Sequence, residues 1–168
     1  MADQPGAHRT LGLATAAVIF IIDQGAKWLV THPLDLPNRG LVEVLPIFDL
    51  RWVNNTGVSL GLLSADTPLG RWLLVILTVG IAIAVSIWLW RERQRDDAFA
   101  LGLVLGGAAG NILDRIRFGH VVDFLDLHFG DWHPFLIFNP ADAAITIGVL
   151  ILLLRALLVR QARLTETK

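Results

Sequence analysis

The sequence predicts a mainly α, polytopic membrane protein: four transmembrane helices, a small extracytoplasmic β-sheet and a short amphipathic surface helix. Three observations predict it. Hydrophobic residues make up 54% of the 168 positions and charged residues only 17%, against about 25% charged in ordinary soluble domains. Mean hydropathy is +0.59. Four apolar stretches recur along the chain, each near the roughly 20 residues that carry an α-helix across about 30 Å of hydrocarbon. The net charge of −1 gives no basis for nucleic-acid binding, and the lack of cysteine excludes disulfides, thiol nucleophiles and thiolate metal sites. The length suits one domain, taken as residues 1–168.

The first ten residues read as a polar tail. The first span covers residues 11–30. Its lead, with His8 and Arg9, is weakly basic like that of a signal peptide. The run continues into Asp23, Gln24 and Lys27 with no A-x-A-like site, so it reads as a retained span. Asp23 and Lys27 stand four apart on one helix face. The plain reading is an interfacial ion pair with Lys27 snorkelling to water, and Asp23 reads as support for a site rather than a reacting group.

Residues 31–70 are the longest non-spanning segment, punctuated by Pro33, Pro37, Pro46 and Pro68. Residues 48–53 alternate apolar and polar, a strand signal that puts Glu43, Asp49 and Arg51 toward water. Asn54-Asn55-Thr56-Gly57 follows as a turn, and residues 58–64 as the amphipathic piece. The second span covers 71–90, with Trp72, Trp88 and Trp90 near its ends, where indole rings suit the interface. The third covers 98–114. Gly102, Gly106 and Gly110 recur at every fourth position there, a close-packing face. The fourth covers 141–159. Four spans put both termini on one side, together with Arg91, Arg93 and Arg95 of the connector and Arg160, Arg163 and Lys168 of the tail. The positive-inside rule makes that side the cytoplasm. Loops 31–70 and 117–139 fall on the other side.

Chemistry concentrates between residues 111 and 142. Ionisable groups beside apolar runs are costly, so they mark candidate sites. Asn111, Asp114 and Arg115 cluster on the last turns of the third span, a polar network that would fix the following loop. Asp123 sits among Val121, Val122, Phe124 and Leu125. Asp142 opens the fourth span behind Asn139, which reads as an N-cap, and Pro140, which suits a first helical turn. Taken singly, Asp123 reads as a loop carboxylate paired with Arg115 or Arg117, and Asp142 as a helix-start residue favoured by the dipole. Taken together, on one membrane face, they make a candidate acid–base pair. Two carboxylates in one site share a proton, so one can activate water while the other protonates a leaving amine. A zinc site built from His120, Asp123, Asp126, His128, Asp131 and His133 is the next competitor, but no H-E-x-x-H or regular ligand spacing supports it. No G-x-S-x-G or P-loop pattern is present, and no metal or cofactor is expected. A proton-coupled transporter is the rival class. It would spread carboxylates through the membrane depth, whereas Asp23, Asp114, Asp123 and Asp142 map toward one face.

These blocks resemble one family over nearly the whole chain: the lipoprotein signal peptidases, or signal peptidase II, bacterial membrane aspartyl peptidases. The resemblance rests on Asp23-Gln24 with Lys27, on Asn55-Thr56-Gly57, and on Gly110-Asn111 with Asp114-Arg115. Above all it rests on Gly119-His120-Val121-Val122-Asp123-Phe124 and on Phe138-Asn139 with Ala141-Asp142. It implies that Asp123 and Asp142 are the catalytic dyad. It implies that Asp23, Asn55, Gly107, Asn111, Asp114, Arg115, Asn139 and Ala141 bind substrate or shape the site. The implied substrates are diacylglyceryl-modified prolipoproteins, cut before the lipidated cysteine at the outer face of a bacterial inner membrane. A monomer surrounded by membrane lipids is expected. The chain departs from the family at Val58-Ser59-Leu60, where Ala-Ala-Phe is usual, and at Pro140 and Ala143 beside the second aspartate.

Overall fold

A computed structural model describes residues 5–57 and 67–166, with side chains described for 8–57 and 67–158. Four long helices are present: α1 (Pro5–Thr31), α3 (Pro68–Arg91), α4 (Arg95–Phe118) and α5 (Pro140–Glu166), with a one-turn α2 (Leu36–Arg39) after α1. Each long helix holds a segment long and apolar enough to cross a membrane. The amphipathic piece expected at 58–64 lies outside the described residues.

The helices are not equivalent. Just over half of the most apolar window of α4 is buried inside the protein (56%), against 17% in each of the other three. α4 is therefore the central helix, and α1, α3 and α5 pack around it. Its glycine row makes this possible on the α1 side. A Cβ at Gly106 would come within 2.9 Å of the Ala16 Cα atom, so the backbones meet directly. α3 and α5 turn Ile76, Ile81, Leu153 and Leu157 outward, a surface suited to lipid.

α4 runs several residues beyond the expected 98–114 at both ends. Arg95 to Asp97 are polar, yet they continue the helix, and Arg155 on α5 bonds Asp96 and Asp97 there. At the far end the helix persists until Gly119, whose positive φ of 83° ends it. α5 likewise runs past 159 to Glu166.

The sheet is antiparallel with order β1–β2–β3: β1 (Leu41–Leu45), β2 (Phe48–Asn55) and β3 (Val121–Leu127). Only β2 carries the alternation that sequence can read. β3 falls in a segment the sequence reads as loop, because Val121-Val122-Asp123-Phe124 is buried on both faces and shows no period of two. Val122 and Phe124 pack with Val30 and Leu36 into a small core that seats the sheet on the end of α1. Asp49 corrects another expectation. It is 7% exposed rather than facing water, and it lies 3.2 Å from His128 Nε2. Glu43 and Arg51 are exposed, as their alternation predicts.

Candidate active site

The site forms where the sheet meets the ends of α1, α4 and α5. The start of α5 is built by local hydrogen bonds. The Asn139 Oδ1 atom accepts from the Asp142 N–H at 2.9 Å, and Asp142 Oδ2 accepts from the Asn139 N–H at 3.4 Å. This reciprocal cap satisfies donors that a helix N-terminus leaves open, with Pro140 at the position that needs none. The residue before the cap is tied to the sheet. Phe124 and Leu125 both donate backbone N–H groups to the Phe138 carbonyl, at 3.1 and 2.8 Å. Strand β3 thereby carries Asp123 up to the start of α5.

Asn139 joins the two carboxylates. Its Nδ2 donates to Asp123 Oδ1 at 2.6 Å, while its backbone N–H and side-chain Oδ1 hold Asp142. Each aspartate has a second amide donor. Asn55 Nδ2 donates to Asp123 Oδ2 at 2.8 Å, and Asn111 Nδ2 to Asp142 Oδ1 at 2.8 Å. Asp123 is 1% exposed. Burial pushes its pKa up from 3.8 to about 6; the charge of Asp142 adds to the rise, and the bonds from Asn55 and Asn139 oppose it. Neither Arg115 nor Arg117 bonds Asp123, contrary to the plain reading of a loop ion pair; two asparagines hold it instead.

A second cluster lies beneath. Lys27 Nζ sits 2.8 Å from Asp23 Oδ2 and 2.7 Å from Asp114 Oδ2. Gln24 Nε2 donates to the same two carboxylates, at 3.1 and 3.0 Å. Lys27 is 5% exposed and does not snorkel; its ammonium points inward because two buried carboxylates await it. These carboxylates also hold the backbone of the site. Asp23 accepts from the Ala141 N–H at 3.1 Å, and Asp114 from the Val122 N–H at 3.2 Å. Asn111 links the clusters, with its Oδ1 accepting from Lys27 and from Asn139 Nδ2.

Gly107 fits this account. A Cβ there would press on the Ala141 carbonyl and come within 2.8 Å of Ile145, pushing α5 away from α4. Arg115 is half-buried, donates to the Asn111 carbonyl at 3.5 Å, and keeps a buried Nε with no hydrogen-bond partner among the described residues. Asp23, Asn55, Gly107, Asn111, Asp114, Arg115, Asn139 and Ala141 thus gather around Asp123 and Asp142.

The competing zinc set does not gather. His133 bonds Asp126 at 2.9 Å and His128 faces Asp49. Burial lowers the pKa of His120, a shift opposed by the charge of Asp114. Among the described residues no three of these side chains converge as a metal-holding group. The expected Lys27–Asp23 pair is present, but sequence reasoning missed the second partner of Lys27, Asp114, and the bridging role of Gln24. The available signal was three polar residues on one helical stretch inside an apolar run.

A membrane helix bundle with two amide-held carboxylates under a surface sheet has the layout of a membrane aspartyl peptidase. The chain belongs to the signal peptidase II family: the model of that family, described as Signal peptidase (SPase) II, matches residues 15–158. A lipoprotein signal peptidase of Rhizorhabdus wittichii is 58% identical over 163 residues, covering 97% of this chain and 95% of the relative. One of Sphingopyxis alaskensis is 51% identical over 147 residues, covering 88% and 85%. Two solved bacterial membrane enzyme structures, obtained by the in meso method, each superpose with a TM-score of 0.73. One is 30% identical and covers 87% of both chains; the other is 29% identical and covers 87% of this chain and 92% of its own. The protein is an enzyme, a peptidase, and the comparisons give a transporter no support.

Proposed function

We propose that this chain, as one membrane-embedded domain, removes signal peptides from diacylglyceryl-modified prolipoproteins, cleaving before the lipidated cysteine. Family membership supports the substrate class. The observation that carries the mechanism is Asn139, hydrogen-bonded to both Asp123 and Asp142. One carboxylate takes a proton from water as the water oxygen attacks the scissile carbonyl carbon. The other, protonated, gives its proton to the departing nitrogen as the C–N bond breaks. The signal peptide leaves with a new carboxylate, and the lipidated cysteine with a new amine. With its pKa near 6, Asp123 is suited to hold a proton close to neutrality. Arg115 supplies positive charge beside the site as negative charge develops on the carbonyl oxygen.

The basic end of the bundle, with Arg9, Arg91, Arg93 and Arg95, faces the cytoplasm on this reading, and both termini with it. The sheet and dyad then face outward from a bacterial inner membrane, at the depth where a lipid-anchored scissile bond lies. The chain works as a monomer among membrane lipids, without metal or cofactor.

The test is cleavage of a lipid-modified prolipoprotein by purified protein. Wild type should release the signal peptide in the presence of EDTA. Asp123→Asn and Asp142→Asn should each abolish release while keeping the wild-type circular dichroism. Full activity in either variant would refute the dyad, and loss with EDTA would favour a metal.

A further inference from the structure

Beside Asp123 the sheet side of the site opens into a cleft of about 520 Å³, which the proposed hydrolysis leaves unexplained. It is lined by Arg51, Val53, Asn54 and Asn55 of β2, by Thr56 and Gly57 just beyond the strand, and by His133 and residues 135–137. At about 3.3 Å per residue, the four strand steps from Arg51 to Asn55 span roughly 13 Å, room for about four residues of extended peptide. On the other side, Asp142 borders a smaller cleft of about 260 Å³ walled by Phe135, Leu136, Phe138 and Ile147. The reacting pair thus stands between a cleft of mixed character, carrying Arg51, Asn54, Asn55 and Asp126, and an almost wholly apolar one, with Phe135 and Leu136 common to both.

A substrate of the proposed kind is divided the same way. Its signal peptide and acyl chains are apolar and stay in the bilayer, while the chain beyond the cysteine leads into water. Polar backbone cannot leave water without new hydrogen-bond partners. The sheet-side cleft offers them. Its wall is held by Asp126, 1% exposed, with Oδ1 at 2.9 Å from His133 Nδ1 and Oδ2 at 3.1 Å from Arg51 Nε. The first contact ties the segment carrying Phe135 to β3. The second is an ion-pair contact that holds the Arg51 guanidinium beside the cleft wall, where Asp126 Oδ2 has no hydrogen-bond partner among the described residues. Arg51 is 45% exposed and lines the cleft. Two carboxylates, Asp123 and Asp126, line it as well, so the cleft repels an acidic side chain and suits neutral acceptors.

We infer that this cleft is the subsite for the extended segment following the lipidated cysteine, and that Arg51 grips main-chain carbonyls of that segment, aimed by Asp126. The inference rests on the peptidase reading above. Main-chain recognition would serve substrates whose sequences vary beyond the cysteine.

The experiment compares two lipid-modified substrates with one signal peptide. One ends at the residue after the cysteine, and the other extends four residues further. Wild type should favour the long substrate in kcat/KM by about tenfold, mainly through KM, the size expected for hydrogen bonds to a charged group. Arg51→Gln should erase that preference while cleaving the short substrate at the wild-type rate. If Arg51→Gln does not fold, because the buried Asp126 loses a partner, the double variant Arg51→Gln with Asp126→Asn carries the same prediction. Equal cleavage of both substrates by wild type would overturn the subsite. An equal loss on both substrates in the variant would overturn the role of Arg51, leaving it a structural residue. If wild type cleaves neither, the peptidase reading itself fails.

Discussion

Two pairs of carboxylates share one end of the bundle, and they are treated in opposite ways. Asp23 and Asp114 lie against the Lys27 ammonium, with Gln24 bridging them. Asp123 and Asp142 are bonded by asparagines and by backbone, and neither forms an ion pair among the described residues. The Lys27 ammonium draws its two partners together, and both also hold backbone N–H groups in place, Asp23 that of Ala141 and Asp114 that of Val122. Amides donate hydrogen bonds without settling where a proton resides. The first pair builds the site, and the second remains free to exchange a proton. Asn111 touches both, so the scaffold and the reacting pair are one connected network.

This contrast can be broken at several points. The largest effect belongs to the dyad. Asp123→Asn or Asp142→Asn should lower kcat by about 10³-fold or more, the scale of a lost acid–base group, with little change in melting temperature. Turnover within tenfold of wild type would remove the distinction. Next is the scaffold. Lys27→Met leaves two buried carboxylates uncompensated, and breaking a buried ion pair costs about 3–5 kcal/mol. Thermal unfolding in detergent should register that loss in Lys27→Met and not in the dyad variants.

Asn139→Ala removes the cap of α5 and contacts to both reacting carboxylates. The cap alone is worth about 1 kcal/mol, so the expectation is a modest stability loss with a larger fall in kcat. A fall in stability with unchanged kcat would make Asn139 a cap only. The smallest effect concerns pH. With Asp123 at about 6, the alkaline limb of kcat/KM in the free enzyme should report its ionisation. Asn55 stabilises the charged form, so Asn55→Ala should move that limb to higher pH. A shift to lower pH would contradict the assigned hydrogen bond. The linkage sign follows: the folded pKa lies above the ordinary 3.8, so Asp123's contribution to stability is fully present below that value and is lost as pH rises through about 6.

How much of this was legible depended on the kind of signal. The four spans are read from hydropathy because lipid demands long apolar helices, and the N-cap role of Asn139 follows from the Pro140 and Asp142 that succeed it. Strand β3 was hidden because burial on both faces erases alternation, and its partner β2 lies some 70 positions away in sequence. Lys27 was misread because spacing shows that it can meet Asp23 but cannot show Asp114 arriving from another helix. Likewise, the pairing of Asp126 with Arg51 depends on the β2–β3 register, which no local pattern encodes. The boundaries of α4 fall short in the sequence because its end residues are polar and largely exposed, so hydropathy does not register them, while Arg155 contacts at one end and Gly119 at the other set the true limits.

The central claim is that Asp123 and Asp142 form one dyad, the charge of Asp142 acting on Asp123. It is tested most directly by following the Asp123 carboxyl stretch with pH in infrared spectra, assigned by its absence in Asp123→Asn, in wild type and in Asp142→Asn. The account predicts protonation near pH 6 in wild type and at lower pH in Asp142→Asn, because the neighbouring negative charge that raises it is gone. An unchanged Asp123 titration in that variant would show that the two carboxylates do not act on each other, and the proposed dyad would fall.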